Sequence, residues 1–289
     1  MQNDWIVVKT APEIALKSDF VRSSFMKALE WNIKNALSAN GLKAAELDRK
    51  GGRIFFKSES PKKALKILHN VFGIHALALA ERHSPAEMPA IETESANFAR
   101  KALKKGHCFA VRAKLGAKKS FNAHDIEVKA GDIVRKAVDG VSVNLSKPDV
   151  KIIFEVFDNE FYVYAGQEMC FGGLPVGVSG RIAFLASKKP AEDFKACWLL
   201  LKRGCELVLV GKSPKLAKML EEWNSFKEVL SAKTEKEALE KGCVCFASSD
   251  SRLDEKSAKA FEMQDAKIGA LVLRPLLLFP KELFKGVKA

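Results

Sequence analysis

Between Glu94 and Asp125 the chain carries no acidic residue. It also lacks an apolar run of membrane-spanning length, which takes about 20 residues. The nearest, Ala270 to Phe279, is interrupted by Arg274 and Pro275. The opening MQNDWIVVKT goes straight into a strand pattern and has no signal-peptide core. These absences predict a cytoplasmic protein with no membrane partner. Disulfide scaffolding is excluded by six irregularly spaced cysteines in 289 residues. Cys108, Cys197 and Cys205 fall in apolar patterns and read as buried thiols. Cys243 and Cys245 form C-x-C in a strand pattern, which predicts a shared face. No second pair or histidine cluster supports a metal there. Internal repeats and low-complexity tracts are absent too.

What is present is positive charge. The net charge is +13, which favours an acidic partner. The acid-free interval holds Arg100, Lys101, Lys104, Lys105, Arg112, Lys114, Lys118 and Lys119. Its pattern reads helix, strand, basic turn, helix. Strand side chains repeat every two residues, so Arg112 and Lys114 share a face over Cys108 to Leu115. Asn122 and Asp125 are spaced as a capping box for a helix bearing Ile126, Ala130, Ile133, Val134 and Ala137. That helix N-terminus, beside Lys118 and Lys119, is a further place for phosphate. Phe121 is either a stacking platform for an unpaired base or a core plug anchoring the turn. The plain alternative for the whole stretch is a solvated surface loop.

The chain is long enough for two or three domains. A strand at Ile6 to Lys9 precedes a helix capped by Ser18 or Asp19, with Phe25, Leu29, Ile33 and Leu37 on its stripe. A strand at Arg53 to Lys57 and a helix from Ser60-Pro61 complete a small α+β sandwich. A strand over 74–84, a helix over 91–105 and the basic stretch follow. The segments 150–157 and 161–165 form a hairpin across Asp158-Asn159. GGLPVGVSG, 172–180, is the best linker. Beyond it the pattern alternates: strand 182–187, helix 191–203, strand 206–211, helix 214–231, helix 234–241, strand 243–248, helix 255–265 and strand 270–274. Such alternation predicts a parallel sheet with covering helices.

Three stretches together resemble the ThiI family, the tRNA 4-thiouridine synthetases. VVKTAPEIALKSDFVRSSFMKALEWNIKNAL resembles the family's opening, with Ala11-Pro12 where Tyr-Gly is usual. FAVRAKLGAKKSFNAHDIEVKAGDIV with NLSKPDVKIIFEVFDNEFYVY resembles its THUMP domain, and GGLPVGVSGRI its linker. The resemblance implies a ferredoxin-like domain over 1–74, a THUMP domain over 75–171, a linker at 172–181 and a small Rossmann-like, PP-loop-derived α/β domain over 182–289.

It also locates a departure. The family's PP-loop, SGGxDS, cradles ATP phosphates on glycine amides. Here the equivalent place reads SKKPAED. Only Ser187 is retained in type. Lys188, Lys189 and Pro190 replace the glycines and obstruct the tight turn, and proline removes an amide donor. Glu192 and Asp193 are expected to put negative charge where phosphate lies. The TGESLGQ-like second loop reads SSDSRLDEK, while WLLLKRG and LRPL are kept. The family's catalytic cysteine is expected beyond Ala289, so none of the six cysteines matches it.

The expectation is therefore a tRNA-binding chain of the 4-thiouridine system, without its own adenylation activity and with no cofactor, acting with a separate catalytic or sulfur-carrier protein. By resemblance it engages the acceptor end of tRNA, with Lys119 and Phe121 on the family's basic loop; the charge pattern adds Arg112, Lys114 and Lys118, and Lys17, Arg22 and Arg181 extend the track. No residue is assigned a catalytic or metal-binding role. Two alternatives stay open. One is an active ATP-dependent tRNA sulfurtransferase with non-standard loops, Lys188 and Lys189 binding phosphate as point charges. The other is an anion-binding interaction protein not specific for tRNA.

Overall fold

The computed structural model describes residues 4–252, 254–277, 284 and 287. Leu253 of the second loop, the end of the apolar run at Phe279 and the terminal Ala289 lie outside them.

The chain begins β1 (Trp5–Thr10), α1 (Pro12–Ala15), α2 (Asp19–Ala39), β2 (Ala45–Lys50), β3 (Arg53–Lys57), α3 (Pro61–Leu68), β4 (Ile74–His83) and α4 (Met88–Ala102). It continues β5 (Cys108–Leu115), α5 (Ala123–Ala137), β6 (Ser142–Val143), β7 (Val150–Val156), β8 (Phe161–Ala165) and β9 (Glu168–Met169). The last part runs β10 (Arg181–Leu185), α6 (Pro190–Lys202), β11 (Glu206–Val210), α7 (Pro214–Leu220), β12 (Leu230–Ala232), α8 (Glu235–Glu240), β13 (Cys243–Ala247), α9 (Glu255–Ile268) and β14 (Val272–Leu273). The residues group into two units. Unit 1 comprises Met1–Lys9, Leu42–Leu65 and Ala76–Met169; unit 2 comprises Thr10–Gly41, Lys66–His75 and Cys170–Ala289.

The first sheet has the order β2-β3-β1-β4-β8-β7-β5-β6, with β9 also on β4. Phe109, Val111, Ile152, Phe154, Phe161 and Val163 form one face, buried with Ile91 and Phe98 of α4 and Ile126, Ala130 and Val134 of α5. The other face carries Trp5, Val7, Phe55, Ala78, Ala80, Tyr162 and Tyr164. Phe55 on β3 stacks on Tyr162 of β8 with ring centroids 4.2 Å apart. Strands β1 and β4 lie between these two in the sheet order. A flat sheet with ~4.8 Å strand spacing would hold them roughly 14 Å apart, so the sheet curls around this aromatic layer.

The second sheet has the order β12-β11-β10-β13-β14, and all four of its pairings are parallel. One face packs on α6 and α7 through Ile182, Phe184, Leu209, Phe194, Leu201 and Leu216. The other packs Ala183, Val208, Phe246 and Val272 with Ala238 of α8. This is a doubly wound, Rossmann-like layer.

Several expectations are corrected. The helix predicted over 214–231 stops at Leu220. Trp223 is buried and packs on Trp198 and Phe171, and Ser225 and Phe226 adopt left-handed backbone at φ 54° and 58°. The chain then turns into β12. Strand β2, AELDRK, has no apolar stripe and was missed; its residues are exposed or half-buried. Segment 172–180, the expected linker, is hydrogen-bonded within unit 2. The amides of Leu174, Gly177 and Ser179 donate to the carbonyls of Lys202 and Gly204, and Asn32 donates to Val176 O at 3.1 Å. A Cβ on Gly173, at φ 78°, would lie 2.4 Å from Lys202 O, so only glycine fits there.

Cys243 and Cys245 do not share a face. Arg181 pairs with Cys243 and Ile182 with Cys245, so Val244 is a bulge. The extra residue breaks the alternation. Cys243 enters the layer with Phe246, and Cys245 the layer with Phe184.

Candidate nucleic-acid interface

Strand β5 pairs in parallel with β7, placing Arg112 opposite Ile153 and Lys114 opposite Glu155. Arg112 and Lys114 therefore do share a face, the aromatic one. The two side chains serve differently. Arg112 donates to the carbonyls of Val111 and Leu145, both at 2.9 Å, and moors the 144–147 loop. Lys114 is exposed and makes no hydrogen bond or ion pair among the described residues. After Gly116 the basic turn follows. Lys119 donates to Asp158 O, tying the turn to the β7–β8 corner. Lys118 is exposed. Phe121 packs against the core beneath α4 and α5, the plug alternative of the two.

The capping box forms fully. Asn122 Oδ1 accepts from Asp125 N at 3.1 Å, and Asp125 Oδ2 accepts from Asn122 N at 2.7 Å. The anion at this helix start is thus the chain's own Asp125. That weakens the expected phosphate place at the helix N-terminus, because the positive end already holds a carboxylate.

The other three predicted residues lie in unit 2. Lys17 is exposed beside Glu13 and Leu16 on a cleft with Trp198, Lys202 and Arg203. Arg22 pairs with Asp19 one turn before it. Arg181 is engaged by Glu206 through Nε at 2.9 Å and Nη2 at 2.7 Å, and Nη1 donates to Lys241 O. Its guanidinium holds β10 to its neighbours.

Sequence reading missed the charges on the curled sheet. Arg53 Nε donates to Glu155 Oε1 at 2.7 Å, and Tyr164 O–H donates to the same oxygen at 2.7 Å. Glu160 is held by Arg82, with Nε at 2.6 Å, by Lys50 and by Tyr162 O–H at 3.0 Å. Burial pushes the Glu160 carboxyl up, but Lys50, Tyr162 and Arg82 outweigh it and hold the carboxyl below its ordinary range. Burial beside these carboxylates raises both tyrosine hydroxyls. Elsewhere in unit 1 Glu81, His83 and Glu94 converge. Each ring nitrogen of His83 faces a different carboxylate, and Lys101 takes both Glu81 oxygens at 2.9 and 3.1 Å. One ligand atom from each of the three lies within 4.8 Å of the others, and both Glu81 oxygens are already taken by Lys101.

In unit 2 the loop after β10 borders a cleft of about 580 Å³ lined by Ser187, Lys188, Lys189, Glu192 and 248–252. Glu192 faces solvent near Lys189, at 3.6 Å. Asp193 is fully buried, contrary to the expectation that its charge occupies the phosphate place. Its carboxylate accepts from Ser187 N at 2.7 Å, Ser187 Oγ at 2.8 Å and Ser249 Oγ at 2.5 Å. An internal carboxylate thus takes up a loop amide. Pro190 starts α6 at a position where its missing N–H costs nothing.

Family models match twice: the ThiI ferredoxin-like domain over residues 5–78 and the THUMP domain over residues 85–165. A probable tRNA sulfurtransferase from Methanosarcina mazei is 32% identical over 209 residues, 71% of this chain and 51% of that protein. A tRNA sulfurtransferase from Blochmanniella pennsylvanica is 29% identical over 207 residues, covering 70% of this chain and 42% of that one. The chain spans about half the length of these curated relatives. The solved structure of PH1313 from Pyrococcus horikoshii superposes with TM-score 0.85 at 27% identity, covering 98% of both chains. A 4-thiouridine synthetase in complex with RNA and bound ATP superposes with TM-score 0.78, covering 98% of this chain and 83% of that one. Its 22% identity makes that a likeness of fold. This chain belongs to the ThiI family, its ferredoxin-like domain followed by a THUMP domain.

Proposed function

We propose that this chain binds tRNA through unit 1 as part of 4-thiouridine modification, and that another protein supplies the adenylation and sulfur transfer. The observation that carries the first half is the acid-free basic stretch on the THUMP-matching segment, with Lys114 and Lys118 free of partners among the described residues. Relatives named tRNA sulfurtransferase and the fold shared with an RNA-bound synthetase support it. The acceptor end is the part of tRNA that the family resemblance favours. The domain reading that accompanies this is ferredoxin-like 1–74, THUMP 75–171, linker 172–181 and a degenerate PP-loop domain 182–289.

The second half rests on the β10–α6 loop. Lysine, lysine and proline stand where a glycine cradle is needed, and Asp193 already accepts from the Ser187 amide. A second reading, an active sulfurtransferase, is favoured by one observation: Lys188 and Lys189 border an open cleft at the carboxyl ends of β10 and β13, the switch point where doubly wound sheets take ligands.

Two measurements test the proposal. Calorimetry with ATP should show no binding; micromolar affinity lost on Ser187→Ala would establish the second reading instead. Titration of tRNA across a salt series should show a steep slope from counterion release, and Lys118→Gln with Lys119→Gln should flatten it by roughly one unit per lost contact. Unchanged slopes in that variant remove the turn from the interface.

A further inference from the structure

The unpartnered charges of unit 1 are not confined to the turn. Lys9 on β1 sits directly opposite Arg53 on β3. Lys114 on β5 sits opposite Glu155 on β7, and Lys151 opposite Ala110 in the same register. Ile153, between Lys151 and Glu155 on that face, pairs with Tyr164. The curl brings β1 and β3 over β7 and β8: Lys9 Nζ lies 5.3 Å from the Tyr164 ring centroid and 2.8 Å from Gln167 Oε1, while Arg53 reaches Glu155. Four cations from four strands thus share the face that carries Glu155, and Arg53 is the one that contacts it among the described residues. Glu155 is already engaged by Arg53 and the Tyr164 hydroxyl. Lys9, Lys114 and Lys151 have no ion-pair partner among the described residues.

We propose that this curled face, formed by Lys9, Lys114 and Lys151 around Tyr164, is a binding site for backbone phosphate of RNA. The inference rests on the tRNA reading above and extends it. It sends the polynucleotide across the strands from the basic turn to β1 rather than along α5. Like charges gathered on one face repel each other, and an external anion with several acceptor oxygens relieves this as a single water or amide does not. Lys9 records the strain. Its ammonium is held below the ordinary value first by burial, with the charges of Arg53, Lys114 and Lys151 adding to this and Glu155 opposing it. Tyr164 is buried and hydrogen-bonded to Glu155, so the ring is a floor under Lys9 rather than a stacking surface for a base.

The test compares two variants of the full chain by tRNA titration in a salt series. Lys9→Gln with Lys151→Gln keeps polar side chains at both positions and removes two charges from the face. Lys118→Gln with Lys119→Gln removes two from the turn. The face variant is expected to lose about tenfold in affinity near physiological salt and to flatten the slope by roughly two, with Lys9→Arg restoring the Lys9 share. Should the face variant misfold, Lys114→Gln, at an exposed position, carries the test with an expected slope change of roughly one. Weakening in the turn variant alone overturns this inference and leaves the tRNA reading standing. Parental binding by both variants overturns both. Displacement of tRNA by polyglutamate at equal charge concentration overturns the assignment of the face to RNA in favour of an acidic protein.

Discussion

On the curled sheet Glu155 shares its face with four cations and pairs with Arg53, whereas after β10 Asp193 is one carboxylate among uncharged donors. Glu155 takes Arg53 and Tyr164 and leaves three lysines over. Asp193 takes the Ser187 amide, the Ser187 hydroxyl and the Ser249 hydroxyl. The first region has more positive charge than Glu155 can serve, which leaves it open to an outside anion. The second has brought its anion inside, and α6 holds it there. Cationic residues occur at both places. The difference between an open anion site and a closed one lies in which groups are already satisfied.

The largest effect that separates the two should come from Asp193. Asp193→Ala orphans three donors around a fully buried position. Removing one partner of a buried polar set costs about 1–3 kcal/mol for each donor left bare, in part relieved by water. A total loss of ~3–5 kcal/mol is expected in urea unfolding, with Asp193→Asn losing less because it keeps one acceptor oxygen. A loss below ~1 kcal/mol for the alanine variant would mean that the loop is not organised by this carboxylate. Lys151→Gln, on the open face, should change stability within ~0.5 kcal/mol.

A smaller effect concerns acid. Burial alone would raise the Glu81 and Glu160 carboxyls, but His83 and Lys101 around the first, and Lys50, Tyr162 and Arg82 around the second, hold both below the ordinary glutamate value. A carboxyl with a depressed folded value stabilises the fold above its unfolded value, about 4.3. That contribution is lost as pH falls through the folded value. Unit 1 should therefore hold its stability from neutrality down to about pH 4.3 and lose it below, and Glu160→Gln should flatten the loss. An acid limb unchanged by Glu160→Gln would show that this network does not set it.

How much of this was legible follows the range of the interaction. Local chemistry was readable: the Asn122–Asp125 capping box, the alternation of β5 and the parallel pattern after residue 181 all depend on neighbours within a few residues. The face of Cys243 and Cys245 was misread because a bulge at Val244 has no residue signature. The helix over 214–231 was overextended because apolar spacing continued through Trp223 and Phe226 while the backbone reversed. Lys9, Arg53 and Lys151 gave no signal, since only strand register and curl bring β1 and β3 to β7. Arg181 looked like a free cation for the same reason: Glu206 meets it only once β10 and β11 pair.

The smallest expected effect concerns the thiols, and it sharpens the picture of the unit 2 core as closed. Burial raises the Cys197 thiol well above its ordinary value and the Cys205 thiol to about 11. Burial also raises Cys243 and Cys245. The thiolate is the nucleophile that accepts sulfur or attacks a disulfide, so these four are protonated and shielded near neutrality. Cys108 and Cys170 are only half-buried. A disulfide reagent at pH 8 should label the native chain at Cys108 and Cys170 at most, and reach the others only in denaturant. Cys243→Ser with Cys245→Ser should leave the tRNA titration unchanged, because the bulge at Val244 sends the two side chains into separate core layers. Rapid native labelling at Cys243 or Cys245, or loss of cellular 4-thiouridine in the double variant with its fold intact, would place a working thiol in the buried layers of unit 2.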